Sequence, residues 1–311
     1  MTGWDAIAAA SFGIWLYLLF GRGGFWRERV LPPAPPPARW PGIAAVVPAR
    51  NEAELVGAAL RSLLGQDYPG ELSVVLVDDH SDDGTPELAR AAAEAAGASE
   101  RLHIVHARGL PPGWTGKVWA LAEGLAEIER RAVKPELILL TDADIVHHAT
   151  NLRELAARIE AGVDLASLMV RLRAESLAER FMIPAFVFFF EMLYPFSWVR
   201  DPAKRTAGAA GGCVLVRREA LRRIGGLEAI RGEIIDDCAL ARAAKKGGPI
   251  WLGLSGKTRS LRRYPALGDI WRMVARTAYA QLGYSPVRRS EERRVGKECG
   301  YQCRSRWSPY H

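Results

Sequence analysis

Short apolar runs alternate with amphipathic segments in the part of the chain that follows residue 42. Four predicted strands have this apolar character: 43–49 (IAAVVPA), 72–77 (LSVVLV), 102–106 (LHIVH) and 137–141 (LILLT). Three predicted helices separate them: 53–65, 85–96 and 117–132. Strands that are apolar throughout and alternate with helices are typical of a parallel sheet covered on both faces. The pattern therefore predicts an α/β fold.

Polar motifs follow three of these predicted strands at the point where each strand ends. They are PARNE at 48–52, DDHSDDGT at 78–85 and TDAD at 141–144. The carboxyl ends of parallel strands meet at one edge of a sheet, and ligands bind there in open α/β folds. Three polar strand ends at the same edge indicate a functional site.

The TDAD motif places two carboxylates, Asp142 and Asp144, two positions apart after a buried strand. Side chains at this spacing leave an extended segment on the same side, so their charges repel unless a cation lies between or beyond them. An Asp-rich surface turn is the simplest alternative. A functional interpretation is Mg²⁺ or Mn²⁺, held by few carboxylates and completed by phosphate oxygens. Such an ion would neutralise a diphosphate leaving group.

Other charged residues fit a site for a phosphorylated ligand. Asp78 and Asp79 are acceptors placed for a base N–H or a ribose hydroxyl, and Lys117 opens a predicted helix where a cation can meet phosphate. A solvated lysine at a helix end is the alternative for Lys117. Asp236 and Asp237 begin another helical segment, where the helix dipole would also stabilise them as simple capping residues.

Five motifs occur in an order that resembles the family 2 glycosyltransferases. They are VVPARNE, VLVDDHSDDGT, GKVWAL, TDAD and IIDDCAL, and the resemblance covers roughly residues 43–285. It implies the Rossmann-like GT-A fold, a mostly parallel sheet with helices on both faces. The N-terminal apolar segment, the Pro-rich segment after it and the phrase PPGWTGKVWAL are most similar to the hopene-associated glycosyltransferases.

The resemblance also implies roles for individual residues. The nucleotide-sugar donor, with a UDP-sugar favoured, would contact Pro48, Arg50, Glu52 and Asp79, with Asp78 nearby. Asp142 and Asp144 would form the metal-binding DxD motif, which places Asp142 beside the donor as well. Asp237 would be the base that deprotonates the acceptor hydroxyl, with Asp236 as its neighbour.

One motif of the polymerising members of this family is changed here. Their QxxRW motif corresponds to MVART at 273–277, which keeps Arg276 and lacks the Gln and the Trp. Processive synthesis is therefore not expected, although Arg276 remains a candidate for contact with the donor's diphosphate.

The N-terminal segment 6–21 (AIAAASFGIWLYLLFG) is uncharged and is followed by Arg22, Arg27 and Arg29. This charge pattern predicts a membrane anchor in the inner (cytoplasmic) membrane with the rest of the chain in the cytosol. A signal peptide and a buried core helix are the alternatives. The predicted organisation is given by four ranges: an anchor at 1–30, a stiff Pro-rich linker at 31–41, the catalytic domain at 42–285 and an atypical basic tail at 286–311.

Residues 181–199 (FMIPAFVFFFEMLYPFSWV) form a second apolar stretch, interrupted by Pro184, Glu191 and Pro195. These interruptions argue against a clean membrane span. We predict a helix that rests on the membrane and brings a lipid hydroxyl to the sugar donor, and a core helix is the alternative.

Composition changes this picture little. The chain has 311 residues, of which 49% are hydrophobic and 25% charged, and a net charge of +7. Residues 288–311 hold seven Arg or Lys and three Glu, which leaves +3 for the rest and no basic groove for nucleic acid. The tail lacks periodicity, so we interpret it as foreign to the native protein and the chain as truncated before further membrane helices. Its Cys299 and Cys303 are too few for a zinc site, and Cys213 and Cys238 are expected to be reduced thiols.

Three other functions compete with sugar transfer. A nucleotidyltransferase uses a similar sheet, but its glycine-rich, lysine-containing loop is missing at the first strand end. A receiver domain of a signalling protein would carry its acidic pair on the first strand, whereas here the PARNE unit precedes that pair. A catalytically inactive relative that only binds nucleotide is the third alternative, although all the acids needed for catalysis are present.

Overall fold

An eight-stranded sheet organises the protein, whose computed structural model describes residues 3–132 and 134–281. The strands are β1 (Ile43–Ala49), β2 (Leu72–Asp78), β3 (Leu102–His106), β4 (Leu137–Thr141), β5 (Ile145–Val146), β6 (Leu165–Arg171), β7 (Cys213–Arg217) and β8 (Ile250–Ser260). The helices are α1 (Gly3–Leu16), α2 (Ala53–Leu64), α3 (Thr85–Ala95), α4 (Gly116–Arg130), α5 (Asn151–Glu160), α6 (Leu177–Leu193), α7 (Phe196–Arg200), α8 (Arg218–Arg223), α9 (Asp236–Lys245) and α10 (Leu267–Gln281).

The strands lie in the order β3-β2-β1-β4-β7-β6-β8-β5. β3, β2, β1 and β4 are mutually parallel, and β6 pairs with β8 in parallel as well. β7 runs antiparallel between β4 and β6, and β5 pairs antiparallel with β8. The predicted mostly parallel sheet is confirmed, and the four strands predicted from apolar runs match β1 to β4 to within a residue.

Two apolar cores lie on opposite faces of this sheet. In β4, Ile138 and Leu140 face the core that contains α4 and α9, while Leu137 and Leu139 face the core that contains α2, α3 and α5. Successive strand residues point to opposite faces, so a strand covered on both sides must be apolar at every position. This explains the continuous apolar run in the sequence.

Helix α4 approaches the sheet closely at Gly124. A Cβ atom added there would lie 2.4 Å from Cγ1 of Val46 on β1 and 3.0 Å from Cγ2 of Val77 on β2. No side chain fits between the helix and the two strands at this point. Because Lys117 lies two helical turns earlier on α4, this contact also fixes where Lys117 stands relative to the sheet.

We expect Gly124→Ala to lower the free energy of unfolding by about 1–3 kcal/mol, because the added methyl group overpacks the interface with Val46. Gly57→Ala on α2 is the matched control, since a Cβ there meets only the guanidinium end of Arg61, at 3.3 Å. Removing a helical glycine without a clash should be neutral or stabilising by up to about 1 kcal/mol. Urea denaturation of both variants in detergent measures the difference, and equal effects at the two sites would contradict this account.

The N-terminal helix is exposed along its whole length. A wider π-helical turn at Tyr17–Gly21 continues α1, so the helix runs from Gly3 to Gly21. This helix is long and apolar enough to cross a membrane, judged by length and composition. Trp4 is 80% exposed, and none of the α1 side chains is buried against the domain. Membrane anchoring by this helix stays a prediction.

The segment that follows α1, residues 22–28, docks onto α6 and α7. The Arg22 guanidinium donates to the Met192 carbonyl at 2.9 Å, and the Ser197 hydroxyl donates to the Gly23 carbonyl at 2.6 Å. Phe25 is buried and meets the Phe188 ring edge to face at 5.2 Å. A two-pronged ion pair between Glu28 and Arg200 completes the contact. We call residues 22–28 the juxtamembrane clamp.

The Pro-rich residues 31–41 have no regular secondary structure and end against the domain. Trp40 packs edge to face on Tyr68, and Arg39 pairs with Glu136. The proposed division into anchor, linker, domain and tail stays a prediction. Residues 286–311, with Cys299 and Cys303, lie outside the described residues.

The apolar stretch predicted at 181–199 falls in α6, which continues through Pro184, and in α7. Only Glu179 and Ile183 of α6 are buried. Its large apolar side chains exposed to solvent are Leu177, Phe181, Phe188, Phe189 and Leu193. A core helix would bury these residues, so the alternative weighed from the sequence is wrong. Contact with a membrane remains a prediction.

Candidate active site

The polar loops after β1 and β2 interlock, as their shared position at the sheet edge predicts. The Asn51 backbone N–H donates to the Ser81 hydroxyl, and the Asp82 N–H donates to the Asn51 side-chain oxygen, both at 3.0 Å. The Glu52 N–H donates to the Thr85 hydroxyl at 2.9 Å. Asn51 has a φ of 54°, a left-handed conformation that asparagine tolerates better than most residues. The two loops therefore form one rigid surface.

Two buried carboxylates, Asp78 and Asp79, lie at the carboxyl end of β2 beneath this surface. The side chain of Asp79 is 1% exposed, with Nη1 of Arg50 3.7 Å from its Oδ2. Oδ2 of Asp78 lies 3.1 Å from Nδ1 of His106 at the end of β3. Pro48 is buried in β1 beside Val77. The structure thus places Pro48, Arg50, Glu52, Asp78 and Asp79, which the family resemblance assigns to the nucleotide, at one edge of the sheet.

A buried polar network fixes the loop that carries Asp142 and Asp144. The Thr141 hydroxyl donates to the Gly212 carbonyl at 2.8 Å and lies 3.0 Å from Nε2 of His147. Nδ1 of His147 lies 3.0 Å from the side-chain nitrogen of Asn151. Burial lowers the pKa of His147 to about 4, so this imidazole is neutral at neutral pH. Sequence reasoning missed the role of His147, although it follows TDAD by three residues.

Lys117 joins the DxD motif to the acidic pair at the start of α9. Its Nζ lies 2.7 Å from Oδ1 of Asp142 and 3.7 Å from Oδ2 of Asp236. Asp142 and Asp236 are 94 residues apart in sequence, and a Cβ atom added to Gly211, just before β7, would lie 3.3 Å from Nζ of Lys117. This contact places the two groups of acids predicted from the sequence in one site.

Asp237 is held by backbone donors from two segments. Its Oδ2 accepts from the Gly211 N–H at 2.7 Å and its Oδ1 from the Cys238 N–H at 2.6 Å. Burial and the neighbouring charge of Asp236 raise the pKa of Asp237 to about 6, against the opposing effects of Lys117 and the two N–H groups. A Cβ on Gly211 would lie 3.2 Å from Oδ2 of Asp237, so a glycine allows this close approach.

Asp144 lies in a second ionic group, which the sequence did not predict. Its Oδ2 accepts from the Ser260 hydroxyl at 2.7 Å and from Nε of Arg262 at 3.3 Å. Arg262 also pairs with Glu52. Burial raises the pKa of Glu52; Arg262 opposes this increase, while Asp144 and Asp142 add to it. Arg262 thus connects the loop after β1 to the DxD loop.

The donor atoms at this edge fit a hard divalent cation that is only partly held by protein. Within residues 3–132 and 134–281, no group of three or more His, Cys, Asp or Glu side chains is arranged to hold a metal. Asp142 already accepts a cationic ammonium group at 2.7 Å, so its carboxylate meets positive charge at this edge. Two carboxylates with phosphate and water oxygens as further ligands are the usual environment of Mg²⁺.

One predicted contact lies outside what the structure describes. Arg276 is in helix α10, but its side chain is not among the described ones. Its contact with a diphosphate therefore stays a prediction.

Comparisons with known proteins identify related sequences and folds. The sequence model of the family described as "Glycosyltransferase like family 2" matches residues 41–261. No curated protein matches the chain significantly.

A solved structure with a TM-score above 0.5 shows a similar fold, and two others match with lower scores. The mannosyltransferase PcManGT from Pyrobaculum calidifontis, in complex with GDP-Man and Mn²⁺, has a TM-score of 0.63 at 24% identity and covers 89% of this chain and 74% of its own. Glucosyl-3-phosphoglycerate synthase from Mycobacterium tuberculosis, with Mn²⁺, UDP-glucose and phosphoglyceric acid, has a TM-score of 0.48 at 19% identity, covering 78% and 80%. S. aureus TarS 1–349 with UDP-GlcNAc has a TM-score of 0.49 at 17% identity, covering 75% and 65%.

Proposed function

The chain belongs to the glycosyltransferase-like family 2 and has a GT-A-like fold, and from that premise we propose that it transfers a sugar from a nucleotide donor to a lipid acceptor with inversion at the anomeric carbon. The observation that carries the proposal is Lys117, whose ammonium contacts both Asp142 and Asp236. Donor-side acids and acceptor-side acids therefore share one crevice, as direct transfer between two substrates requires.

The donor side of the crevice is the interlocked surface after β1 and β2. Asp79 and Asp78 would accept hydrogen bonds from the nucleoside, and Pro48, Arg50 and Glu52 would shape the same pocket. A UDP-sugar is favoured by the family resemblance. The PcManGT complex contains GDP-Man, so the panel of donors tested for transfer includes GDP-sugars.

Asp142 and Asp144 would hold Mg²⁺ or Mn²⁺, which would supply positive charge to the diphosphate leaving group. Lys117 stands beside Asp142 and would add a second positive charge at the same place, and Arg276 is the candidate for a third. Arg262 would hold Asp144 and Glu52 in fixed positions relative to each other, so that the metal and nucleotide contacts form together.

Asp237 is the proposed base on the acceptor side. With a pKa near 6 it is ionised at neutral pH and able to accept the proton of an acceptor hydroxyl. Gly211 has no side chain beside Asp237, which gives an acceptor room to approach. Attack from the face opposite the diphosphate gives inversion. Asp236 is the second candidate for the base.

The lipid acceptor and the membrane are inferred from the exposed apolar surfaces of α1 and α6. Glu179, in the first turn of α6, accepts from the Tyr264 N–H at 2.8 Å, two residues beyond Arg262. The apolar helix is thus attached to the loop that closes the DxD site, which supports delivery of a lipid hydroxyl at this point. A role in hopanoid synthesis rests on the resemblance of the N-terminal motifs.

The proposed location is the cytosolic face of the inner membrane, because Arg22, Arg27 and Arg29 follow the anchor directly. A reporter fused after Pro41 tests this orientation. A signal from the far side of the membrane would contradict it.

The function is tested with membranes that contain the full-length protein, incubated with a panel of UDP- and GDP-sugars and Mn²⁺. We expect one donor to yield a glycosylated lipid, detected by mass spectrometry, together with the nucleoside diphosphate. Membranes with an equal amount of the Asp142→Ala variant are the control. Release of pyrophosphate would indicate a nucleotidyltransferase, and transfer only to soluble acceptors would contradict the lipid proposal.

A further inference from the structure

Lys117 occupies the position where a cation bound to Asp142 would be expected. Its ammonium lies 2.7 Å from Oδ1 of Asp142, and its side chain is 26% exposed. A lysine side chain is ordinarily charged at neutral pH, and the carboxylates of Asp142 and Asp236 stabilise its charge here. The ammonium group is therefore charged throughout the physiological range.

A divalent cation on Asp142 conflicts with this arrangement. A metal ion bound to a carboxylate oxygen lies about 2 Å from it, and an ammonium on the same oxygen would then stand within a few ångströms of a doubly charged ion. Repulsion at this distance is strong in a partly buried site. Either the metal binds weakly or the ammonium leaves Asp142.

The other carboxylate of the motif has a different kind of partner. Arg262, beside Asp144, is also bound to Glu52, and its backbone N–H donates to the Ser260 hydroxyl at 3.1 Å. Lys117 is a single charge on a flexible four-carbon stem at the first turn of α4. Of the two cations, Lys117 has the flexible stem, and its second ion pair, with Asp236 at 3.7 Å, is long, so Lys117 is the one that can shift position.

We propose that Lys117 is the internal counter-cation of Asp142 in the donor-free enzyme, and that its ammonium moves to the diphosphate when nucleotide and divalent cation arrive together. The diphosphate supplies the negative charge that lets both cations remain in the site. Metal and nucleotide then bind cooperatively, and metal alone binds weakly. This inference rests on the proposed donor and metal site and is independent of the acceptor.

The test measures Mn²⁺ binding by the full-length protein in detergent, with the EPR signal of free Mn²⁺ as the readout, with and without UDP. In the wild type we expect UDP to tighten Mn²⁺ binding, within the roughly 5–150-fold range usual for coupled sites. Lys117→Met should bind Mn²⁺ alone about tenfold more tightly than the wild type, and UDP should add much less. Arg130→Met removes one positive charge at the far end of the same helix and should change neither quantity.

A double-mutant cycle separates competition at Asp142 from a general change of charge. In an Asp142→Asn background, Lys117→Met should no longer tighten the binding of Mn²⁺ alone. Unchanged or weaker Mn²⁺ binding in Lys117→Met, or an equal gain in the Asp142→Asn background, would overturn the proposal. Lys117→Gln, which keeps a polar group at this position, serves as a second variant if the Met variant folds poorly.

The failure of this inference is distinguishable from failure of the proposed function. If lipid glycosylation depends on Mn²⁺ but Mn²⁺ and UDP bind independently in the wild type, the function stands and the counter-cation role is wrong. If no sugar is transferred but the coupling is present, the site binds donor and metal as inferred and the acceptor assignment is wrong.

Discussion

Asp237→Asn is expected to lower the rate of sugar transfer by ~10²–10⁴-fold, the usual contribution of a positioned base. The amide has nearly the shape of the carboxylate but cannot take the acceptor's proton. In the wild type the rate should fall as the pH is lowered through about 6, because protonation of Asp237 removes the base. A bound divalent cation would shift this fall in rate to lower pH. The Asp237→Asn variant should not show the fall at all.

The contacts of Asp237 define the controls for this experiment. Both oxygens accept backbone N–H groups, so the amide of the variant turns its NH₂ towards one of these donors. Loss of that hydrogen bond can lower stability by about 1–3 kcal/mol, which a thermal melt detects separately from the rate. Calorimetric titration with UDP and Mn²⁺ should give nearly unchanged affinity.

Asp79→Asn is the matched variant on the donor side. Its buried carboxylate is 3.7 Å from Arg50, so the substitution should weaken nucleotide binding first, because its interactions are present in the ground state as well as in the transition state. If Asp237→Asn loses nucleotide affinity as badly as Asp79→Asn, Asp237 is a donor-site or structural acid. Asp236 is then the next candidate for the base.

Removal of the metal-binding carboxylates is expected to lower the rate of sugar transfer about as much as Asp237→Asn does. Asp142→Ala or Asp144→Ala should each cost several kcal/mol of transition-state stabilisation, since the leaving diphosphate loses its neutralising ion. EDTA should abolish donor turnover by the wild type, and added Mn²⁺ should restore it. Steady-state release of nucleoside diphosphate measures both effects.

The two alanine variants differ in what they leave behind. Asp142→Ala leaves Lys117 with Asp236 as its nearest acid, whereas Asp144→Ala removes one of the two carboxylates that Arg262 contacts. Asp144→Ala should therefore also disturb Glu52 and nucleotide affinity, and Asp142→Ala should do so less. Full activity in EDTA would show that these acids do not hold a catalytic metal.

The first half of the fold follows from the sequence because β1, β2 and β4 are buried on both faces. Every residue of β1 and β4 is buried, so the apolar run itself marks the strand. The positions of the polar strand ends then follow from the rule that parallel strands end at one edge. These two steps predict that Glu52, Asp79 and Asp142 lie at the same edge of the sheet.

β8 did not follow from the sequence because its environment changes along its length. β8 is buried near Ile250 but exposed at Lys257 and Arg259, where its register with β6 shifts and it also pairs with the two-residue β5. A strand that changes surroundings along its length has neither a continuous apolar run nor a clear alternation. Arg262 follows this strand, so its contact with Asp144 was invisible in the sequence.

The juxtamembrane clamp gives α1 a mechanical role if it spans the bilayer as proposed. Nε1 of Trp26 donates to the Leu19 carbonyl at 3.0 Å, and the neighbouring Phe25 is locked against Phe188, so the end of the membrane helix and the domain turn together. The nineteen residues Gly3–Gly21 measure about 28 Å as a helix, close to the thickness of a hydrocarbon core. The tilt of the helix Gly3–Gly21, set by bilayer thickness, would therefore rotate the catalytic crevice relative to the lipid surface.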